Sequence, residues 1–397
     1  MDRARVGIVG AGTMGAGIAQ VALEGGWAVA LHDPIAGAVD KGRERIRDGL
    51  VRRAAKVAPE SAEAWVAERL ARLTAADALD DLGRSGQLVI EAALERLDLK
   101  REIFRVLDEA ADPGTILATN TSALAVSEIA EGTLHPDRIV GLHFFNPAPV
   151  LPLVEVVAGD RSADWAVERA GSIVEGWGKT AIRVSDSPGF LVNRVNRPFT
   201  LEPLRLLHAA MGSVESIDGA LTAAGFPMGP FALMDLIGID VNLAAARGLF
   251  EASGRPPRFR PSPIQEELVA AGRLGRKTGE GFYRYDAGRA TGPAGRFAGE
   301  IRLGPSAPRP LDAESIAERV ILAIVNEAYR ALGDRVATAD DIDRAMRLGA
   351  NHPFGPFEWA HRTGLQEVAL MLDALGDEDA DTFRPSLPLL RAARSAT

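Results

Sequence analysis

The segment that decides the fold lies near the start of the chain, at Val6–Gly15, with the sequence VGIVGAGTMG. It places a G-x-G-x-x-G pattern directly after a short apolar run typical of a strand, and at the start of a helical pattern. Each glycine has a steric reason: Gly10 makes the tight turn, Gly12 lets backbone approach a pyrophosphate, and Gly15 lets the helix pack close to the sheet. The helix N-terminus then offers unpaired N–H groups and a positive dipole end to an anion. A dinucleotide site is therefore predicted here.

An acidic residue farther along indicates which dinucleotide the site takes. A second predicted strand ends at Asp33, 18 residues after Gly15 (33 − 15). A carboxylate in that place can hydrogen-bond the hydroxyls of the adenosine ribose and would repel a 2′-phosphate. We therefore expect NAD and not NADP, with Thr13 and Met14 of the glycine segment also at the cofactor.

The residues around this segment alternate short apolar strands with helical stretches. Strands and helices are predicted, in chain order, at Arg5–Val9, Thr13–Glu24 (helix), Ala28–His32, Leu88–Ile90, near Leu94–Glu109 (helix), Ile116–Ala118 and Ile139–Leu142. Such alternation implies parallel strands joined by helical crossovers. The first part of the chain is therefore predicted to be a doubly wound α/β domain of the Rossmann type.

The rest of the chain has a different pattern. From Gly189 onward strand-like runs disappear and helical patterns dominate, and Ala287–Pro310 is rich in Gly, Pro, Arg and Ala, as linkers and long surface loops are. We predict four segments: a Rossmann domain at 1–186, a first all-α domain at 187–286, a linker at 287–310 and a second all-α domain at 311–397.

The two helical regions are related by an internal repeat. Ser216–Ala220 matches Asp341–Ala345 at an offset of 125 residues (342 − 217), and Arg194 matches Arg319 at the same offset. The Gly-Pro-Phe sequence that starts at Gly229 recurs one residue later than this offset, at 355–357. Two such units can bury their apolar faces against each other. The chain is therefore expected to be either a homodimer or a monomer in which the second repeat replaces a partner subunit.

Composition excludes several classes of protein. The 397 residues are 47% hydrophobic and 25% charged, as in a globular protein of two or three domains. The net charge of −9 disfavours non-specific nucleic-acid binding. No apolar window reaches the length of a membrane span, and the N-terminus lacks the features of a secretion signal. The absence of cysteine excludes disulfides and thiolate chemistry. We expect a cytoplasmic protein with no metal site and no membrane or nucleic-acid partner.

Polar side chains stand where strands of such a sheet end. Thr119–Ser122 and Gly141–Pro147 each follow a predicted strand, and Glu155 lies within an apolar run. Sites in open α/β sheets lie beyond the carboxyl ends of the strands. Oxidation of a secondary alcohol needs a base for the hydroxyl proton, and a histidine such as His143 has a suitable pKa near neutral pH. A buried carboxylate such as Glu155 can fix the tautomer of that histidine.

These segments resemble the 3-hydroxyacyl-CoA dehydrogenase family, which includes the 3-hydroxybutyryl-CoA dehydrogenases. The matching pieces are Gly10–Gly17, Asn120–Ser122, Gly141–Val156 (GLHFFNPAPVLPLVEV), Ser187–Arg194, Gly229–Phe231, Gly275–Gly279 and Gly281–Tyr283. Together they extend from the start of the chain to about Tyr285, and the second helical unit continues the likeness as a duplicated C-terminal domain. The sixteen-residue block at Gly141–Val156 is far more specific than the glycine pattern.

The resemblance implies reversible, NAD-dependent oxidation of a (3S)-3-hydroxyacyl-CoA to the 3-ketoacyl-CoA. It implies that His143 and Glu155 are the catalytic pair, and that Ser122 and Asn193 hold the substrate oxygens and the nicotinamide side. Further positions match residues that contact the dinucleotide, namely Glu95, Lys100, Asn146 and Lys277. Lys56, at the end of a basic stretch, matches a lysine that meets the phosphates of coenzyme A.

Three positions depart from the family pattern. Gly49 stands where the family often has a serine, seven residues before Lys56. Pro203 joins Pro198 in the first long helix of the second domain, where a proline costs about 3 kcal/mol and predicts a kink or a break. Glu318 stands in the second repeat where the first has Asn193, so the second repeat is predicted to be structural.

Other functions on this scaffold stay open at this point. A related dehydrogenase could act on another hydroxy acid, such as a sugar acid, and would need neither Lys56 nor a long acyl groove. A storage protein of the crystallin kind would have no use for the polar set around His143. An NAD-sensing regulator would need a DNA-binding or partner module, which the sequence does not show. Acyl chain length, pathway (short-chain metabolism, β-oxidation or aromatic-acid breakdown) and physiological direction are not determined.

Overall fold

The computed structural model describes residues 4–297 and 309–395. Contacts between Cα atoms divide the chain into two compact units, Met1–Phe190 and Leu191–Thr397. The first unit ends four residues beyond the predicted limit of the Rossmann domain. Both helical repeats fall within the second unit.

The first unit is an α/β domain built on one eight-stranded sheet. Its strands are β1 (Arg5–Val9), β2 (Ala28–His32), β3 (Leu73–Ala75), β4 (Leu88–Glu91), β5 (Ile116–Thr119), β6 (Ile139–Phe144), β7 (Leu153–Ala158) and β8 (Thr180–Ser185). Its helices are α1 (Thr13–Glu24), α2 (Ala38–Val57), α3 (Ala62–Leu70), α4 (Leu79–Ser85), α5 (Leu97–Ala110), α6 (Val126–Ile129) and α7 (Asp164–Gly176).

The strand order is β3-β2-β1-β4-β5-β6-β7-β8, and β1 to β6 pair in parallel. β7 runs antiparallel to β6, and β8 is parallel to β7. Every residue of β4, β5 and β6 is buried, because helices cover both faces of a doubly wound sheet. The predicted Rossmann-type architecture is confirmed, whereas β3, β7 and β8 were not predicted as strands.

The second unit is largely helical. Its helices are α8 (Val192–Val195), α9 (Pro198–His208), α10 (Val214–Ala223), α11 (Pro230–Ile237), α12 (Ile239–Ala252), α13 (Pro263–Ala270), α14 (Ala313–Gly333), α15 (Ala339–Gly349), α16 (Pro356–Thr363), α17 (Leu365–Gly376), α18 (Ala380–Phe383) and α19 (Leu387–Ser395). α14 contacts both α9 and α10, so the two repeats share one core.

The two repeats differ where prolines interrupt the first one. α14 is a single helix, whereas the matching part of the first repeat is divided into α8 and α9. The division falls just before Pro198, which is the first residue of α9. A proline is well tolerated at the first position of a helix. α9 continues across Pro203. The helix is therefore interrupted just before Pro198 and is not broken at Pro203, where a kink stays a prediction.

A hairpin lies where the sequence predicts only helices and a linker. β9 (Tyr283–Asp286) and β10 (Arg289–Pro293) pair antiparallel. Ala287 and Gly288 join them with φ values of +45° and +77°, as a tight hairpin turn requires. The first helical region is therefore not purely α-helical, and β10 lies within the predicted linker. Residues 298–308 of that linker lie outside the described residues.

No helix among the described residues is both long and apolar enough to cross a bilayer.

Candidate active site

The glycine segment joins β1 to α1 with the geometry that its pattern predicts. Gly10 has a φ of +95°, and a Cβ there would lie 2.6 Å from the Ala92 carbonyl oxygen. A Cβ on Gly15 would lie 1.9 Å from the Gly10 carbonyl oxygen, so a side chain would push α1 away from the turn. A Cβ on Gly12 would meet nothing within 4 Å. Gly12 thus borders open space at the N-terminus of α1, where a pyrophosphate fits.

Asp33 supports the same turn. One carboxylate oxygen accepts a hydrogen bond from the Ala11 backbone N–H at 2.9 Å, and the other accepts one from the Ile35 N–H at 3.0 Å. Each oxygen keeps a further lone pair for a ribose hydroxyl. A largely apolar cavity of about 670 Å³ lies beside it, lined among others by Gly12, Asp33 and Ile35. These residues fit an adenosine and its pyrophosphate.

The pairing of β6 with β7 brings His143 and Glu155 together. They are direct partners in the antiparallel register, and His143 Nδ1 lies 2.6 Å from a Glu155 carboxylate oxygen. His143 is 6% exposed and Glu155 is fully buried. Because a carboxylate only accepts hydrogen bonds, Nδ1 carries the proton and Nε2 keeps its lone pair. The imidazole is thereby oriented to accept a proton at Nε2.

Aromatic rings surround this imidazole. The ring centroids of Phe145 and Phe190 lie 4.5 and 5.7 Å from that of His143. Phe190 is 2% exposed and adopts a φ of +50°, which is rare for a residue with a side chain. Such walls reduce access of water to the histidine and strengthen its interaction with Glu155.

The turn after β5 is held by a charged residue from the loop between β4 and α5. Glu95 accepts hydrogen bonds from the Thr121 hydroxyl and from the Ser122 N–H, the latter at 3.0 Å. Burial disfavours the charged form of Glu95, but Lys100 and these hydrogen bonds outweigh it and lower the pKa of the carboxyl. Asn120 Oδ1 accepts a hydrogen bond from the Phe144 N–H at 2.9 Å, which ties this turn to the end of β6. No role was predicted for Asn120, although it lies within the Thr119–Ser122 segment.

Lys100 is buried more deeply than a residue that lines a cavity. It is 1% exposed, and its ammonium lies 2.7 Å from a Glu91 carboxylate oxygen and 3.2 Å from one of Glu95. Glu91 is fully buried and also accepts a hydrogen bond from the Thr119 hydroxyl at 2.7 Å. Lys100 therefore holds Glu95 in place, and its direct contact with a dinucleotide stays a prediction.

A second cavity, of about 740 Å³, lies between α1, α2 and the loop after β6. Lys56 lines it together with the predicted cofactor residues Thr13 and Asn146. Other basic side chains on its wall are Arg45, Arg52 and Arg53. The basic stretch on α2 thus faces a cavity that is large enough for part of a phosphate-bearing ligand.

Gly49, the departure from the family pattern, lies in the wall of this cavity. A Cβ on Gly49 would lie 1.9 Å from Gln20 Oε1, so the Gln20 side chain occupies the space of a residue-49 side chain. Gln20 is 6% exposed and donates a hydrogen bond to Glu24 at 2.8 Å. A polar amide from α1 therefore stands where the family often places a hydroxyl from α2.

The remaining predicted residues, Asn193 and Lys277, belong to the second unit. Asn193 lies on α8. The Lys277 ammonium binds the carboxylate of Asp240, with Nζ 2.6 Å from one oxygen and 2.8 Å from the other. Its contact with a cofactor stays a prediction.

Comparison with known families covers most of the chain. The model described as "3-hydroxyacyl-CoA dehydrogenase, NAD binding domain" matches residues 5–187. The model described as "3-hydroxyacyl-CoA dehydrogenase, C-terminal domain" matches residues 189–285 and again 316–395. The two matches of the second model coincide with the two helical repeats.

Individual proteins show the same relationship. The 3-hydroxyadipyl-CoA dehydrogenase of Escherichia coli K12 is 37% identical, over 93% of this chain and 93% of its own. The 3-hydroxybutyryl-CoA dehydrogenase of Mycobacterium tuberculosis H37Rv is 42% identical, over 71% of this chain and 98% of its own. The crystal structure of 3-hydroxybutyryl-CoA dehydrogenase from Escherichia coli K12 superposes with a TM-score of 0.88 and 34% identity, covering 100% of this chain and 99% of that one.

The predictions of an oxidoreductase and of NAD as its cofactor are thereby confirmed, and a sugar-acid dehydrogenase is not favoured. The matches extend over both units and over both helical repeats. The chain belongs to the 3-hydroxyacyl-CoA dehydrogenase family.

Proposed function

We propose that this enzyme oxidises a (3S)-3-hydroxyacyl-CoA with His143 as the general base and Glu155 as the carboxylate that orients it. The observation that carries the proposal is the 2.6 Å contact between His143 Nδ1 and Glu155, made by cross-strand partners in a buried sheet. This contact leaves Nε2 as the proton acceptor. In the direction of reduction the same nitrogen returns the proton to the carbonyl oxygen.

The proton follows a short path in this proposal. The substrate hydroxyl donates a hydrogen bond to His143 Nε2, and its proton passes to the imidazole as the C–O bond gains double-bond character. Glu155 stabilises the imidazolium that forms, because its charge lies against Nδ1–H in a site with little water. Ser122 and Asn193 are proposed to hold the substrate oxygen and the nicotinamide side.

Bound NAD supplies the acceptor for the hydride that leaves the carbinol carbon. Gly10, Gly12 and Gly15 are proposed to hold its pyrophosphate at the start of α1, and Asp33 its adenosine ribose. Glu95 and Asn146 are proposed to lie near the nicotinamide half, with Thr13, Met14, Lys100 and Lys277 as further cofactor contacts.

The second cavity is proposed to take the phosphates of coenzyme A. Lys56, Arg52 and Arg53 bring cationic groups to its wall, and phosphates are bound by such groups through charge-assisted hydrogen bonds. Gln20 is proposed to donate in place of the hydroxyl that Gly49 lacks. The relatives named above act on a 3-hydroxyadipyl and a 3-hydroxybutyryl thioester, so they leave the acyl group of this enzyme open.

We also propose that 311–397 is a structural domain that replaces a partner subunit. Arg194 of the first repeat binds Glu327 of the second at 2.7 Å, and Arg319 binds Glu202 at 2.6 Å. The repeat offset of 125 residues relates the two arginines to each other and the two glutamates to each other. Such reciprocity is the mark of an interface with twofold symmetry. On this proposal the enzyme is a monomer.

A cytoplasmic location is proposed from the absence of cysteine.

Replacement of His143 by Gln tests the catalytic assignment. The variant keeps a polar side chain but has no basic nitrogen, so kcat is expected to fall by about 10²- to 10⁴-fold, the usual contribution of a positioned base. The affinity for NAD, measured by fluorescence titration, is expected to stay within about threefold, because His143 is not part of the glycine segment. A folded variant with the turnover of the parent enzyme would refute the assignment. Activity is measured with 3-ketoacyl-CoA thioesters of increasing length, each with NADH and NADPH.

A further inference from the structure

One arginine of the first unit borders both of the cavities described above. Arg45, on α2, lines the cavity of about 670 Å³ beside Asp33 and also lines the second cavity, of about 740 Å³. Of the described residues that line these cavities, Arg45 alone lines both. The two cavities are therefore neighbours within the first unit, with Arg45 on the wall of each.

Close packing of α2 places this arginine beside the glycine turn. Gly42 lies three residues earlier on the helix, and a Cβ there would lie 2.9 Å from the Ala11 Cβ and 3.1 Å from the Ala11 carbonyl oxygen. The absence of a side chain at Gly42 thus lets α2 approach the turn between β1 and α1. A guanidinium nitrogen of Arg45 then lies 3.4 Å from the Ala11 carbonyl oxygen, at the long end of hydrogen-bond distance. The cation is therefore held near the start of α1.

The start of α1 also lies between the two cavities. Gly12 lines the cavity beside Asp33, whereas the next residue, Thr13, lines the second cavity. The inference below rests on the proposed function, which places the pyrophosphate of NAD at the first cavity and the phosphates of coenzyme A in the second. Two such anions in neighbouring cavities repel each other, and a cation between them offsets the repulsion.

The charge of Arg45 is not neutralised in the described part of the chain. Arg45 is exposed, and no carboxylate there lies within ion-pair distance of it. Two other arginines of the same helix are paired: Arg47 lies 3.8 Å from Asp48, and Arg53 lies 3.4 Å from Glu24. The guanidinium of Arg45 is therefore available to an anion in either cavity.

We propose that Arg45 is shared by the two ligands, contacting the pyrophosphate of NAD on one side and a phosphate of coenzyme A on the other. A guanidinium has five N–H donors in one plane, so it can donate to two anions at once. Arg45 thereby raises the affinity of each ligand for the enzyme that already holds the other. Such coupling is reciprocal, because it is a property of the complex with both ligands.

The first test compares the binding of NADH with and without coenzyme A. The Kd of NADH is measured by fluorescence titration of the full-length protein, in the absence of coenzyme A and at a saturating concentration of it. The ratio of the second Kd to the first is expected to be at least about fivefold larger in Arg45→Met than in the parent. An equal or smaller ratio in Arg45→Met would overturn the proposal.

Arg43→Met is the matched control. Arg43 is an exposed arginine of the same helix and lines neither cavity, so its replacement removes the same charge from α2 and is expected to leave the ratio within about twofold of the parent value. A change as large as that of Arg45→Met would mean that only the total charge of the helix matters, and would refute a shared contact.

Ionic strength separates an effect of charge from an effect of shape. Salt shortens the range of the interaction between charges to about 3 Å at 1 M. The difference in ratio between the parent and Arg45→Met is therefore expected to fall below about twofold in 1 M NaCl. A difference that persists would show that Arg45 acts through the shape of the cavities, and would refute the proposal.

Lys56→Met distinguishes a failure of this inference from a failure of the proposed function. Lys56 lines the second cavity but not the first, so the variant is expected to bind coenzyme A more weakly and NADH as the parent does. Undiminished binding of coenzyme A would refute the proposed coenzyme A site, and the inference with it. Weaker binding in Lys56→Met together with an unchanged ratio in Arg45→Met would refute the shared contact alone.

Discussion

At the scale of single residues, the proposed mechanism depends on which nitrogen of His143 carries the proton. Glu155 lies 2.6 Å from Nδ1 and is fully buried, so it can hold one tautomer only while it remains an acceptor. The neighbouring Phe145 and Phe190 rings offer no competing partner for that nitrogen. The tautomer of His143 is therefore set by one carboxylate.

Glu155→Gln should separate this role from the shape of the site. An amide has nearly the same size, but its NH₂ group can donate to Nδ1 and then leaves the proton on Nε2, which is the wrong tautomer. We expect kcat to fall by about 10²- to 10⁴-fold with little change in the melting temperature or in NAD affinity. Steady-state kinetics across pH 6–9 measure the effect. A loss below about threefold would show that Glu155 does not govern the base.

At the scale of elements, one lysine holds the loop between β6 and β7 in place. Lys179 donates hydrogen bonds to the carbonyl oxygens of Ala148 and Leu151, at 2.6 and 2.8 Å. Burial lowers the pKa of Lys179 to about 8, although Glu24 favours the charged form and Arg53 opposes it. The loop it holds also lines the second cavity. Lys179 thus helps to hold both the position of β6 relative to β7 and the shape of this cavity.

The lowered pKa of Lys179 has a consequence for stability. Between about pH 8 and its ordinary value of 10.5, the unfolded chain binds the proton that the folded protein has released, so stability rises with pH. We expect the free energy of unfolding of the parent enzyme, minus that of Lys179→Met, to increase from pH 8 to pH 10. Urea unfolding at four pH values measures it, with Lys41→Met as an exposed control. A difference that is constant or decreases over this range would contradict the assignment.

At the scale of the whole molecule, the contacts between the two repeats of the second unit are arranged like those of a dimer interface. Glu202 and Glu327 are almost fully buried, and each is bound by an arginine from the other repeat. Removing one partner of a buried pair costs about 3–5 kcal/mol, so neither repeat keeps its interface charges satisfied alone. The Mycobacterium tuberculosis relative matches 71% of this chain with 98% of its own, so it has almost no residues left to match the remainder of this chain.

If the second repeat replaces a partner subunit, as proposed above, deletion of Leu311–Thr397 is expected to convert a monomer into a dimer. In the shortened chain, Arg194 of each copy can bind Glu202 of the other, because these residues match Arg319 and Glu327. Light scattering after gel filtration measures the mass. Arg194→Glu in the shortened chain should abolish the dimer, and adding Glu202→Arg should restore it. A folded, monomeric truncation of normal stability would refute the idea that the second repeat replaces a subunit.

Local sequence was sufficient for what depends on local geometry. The glycine spacing at Gly10–Gly15, the strand that ends just before Asp33, and the alternation of strands and helices could all be predicted, because turn sterics and periodicity act over a few residues. The repeat could also be predicted, since related sequences occur twice in the chain. Pro198 and Pro203 looked alike in sequence, yet only the first stands at a helix boundary, where it begins α9, because the packed environment of α9 tolerates the second.

Only the tertiary structure decided which side chains meet. His143 and Glu155 face each other because β7 reverses direction beside β6, and a shift of one residue in that register would turn Glu155 to the other face. The same holds for Lys100 against Glu91 and for Gln20 in the space beside Gly49. The residue type determines which chemistry a side chain can perform. Its burial and its partners depend on contacts between segments that are far apart in the chain.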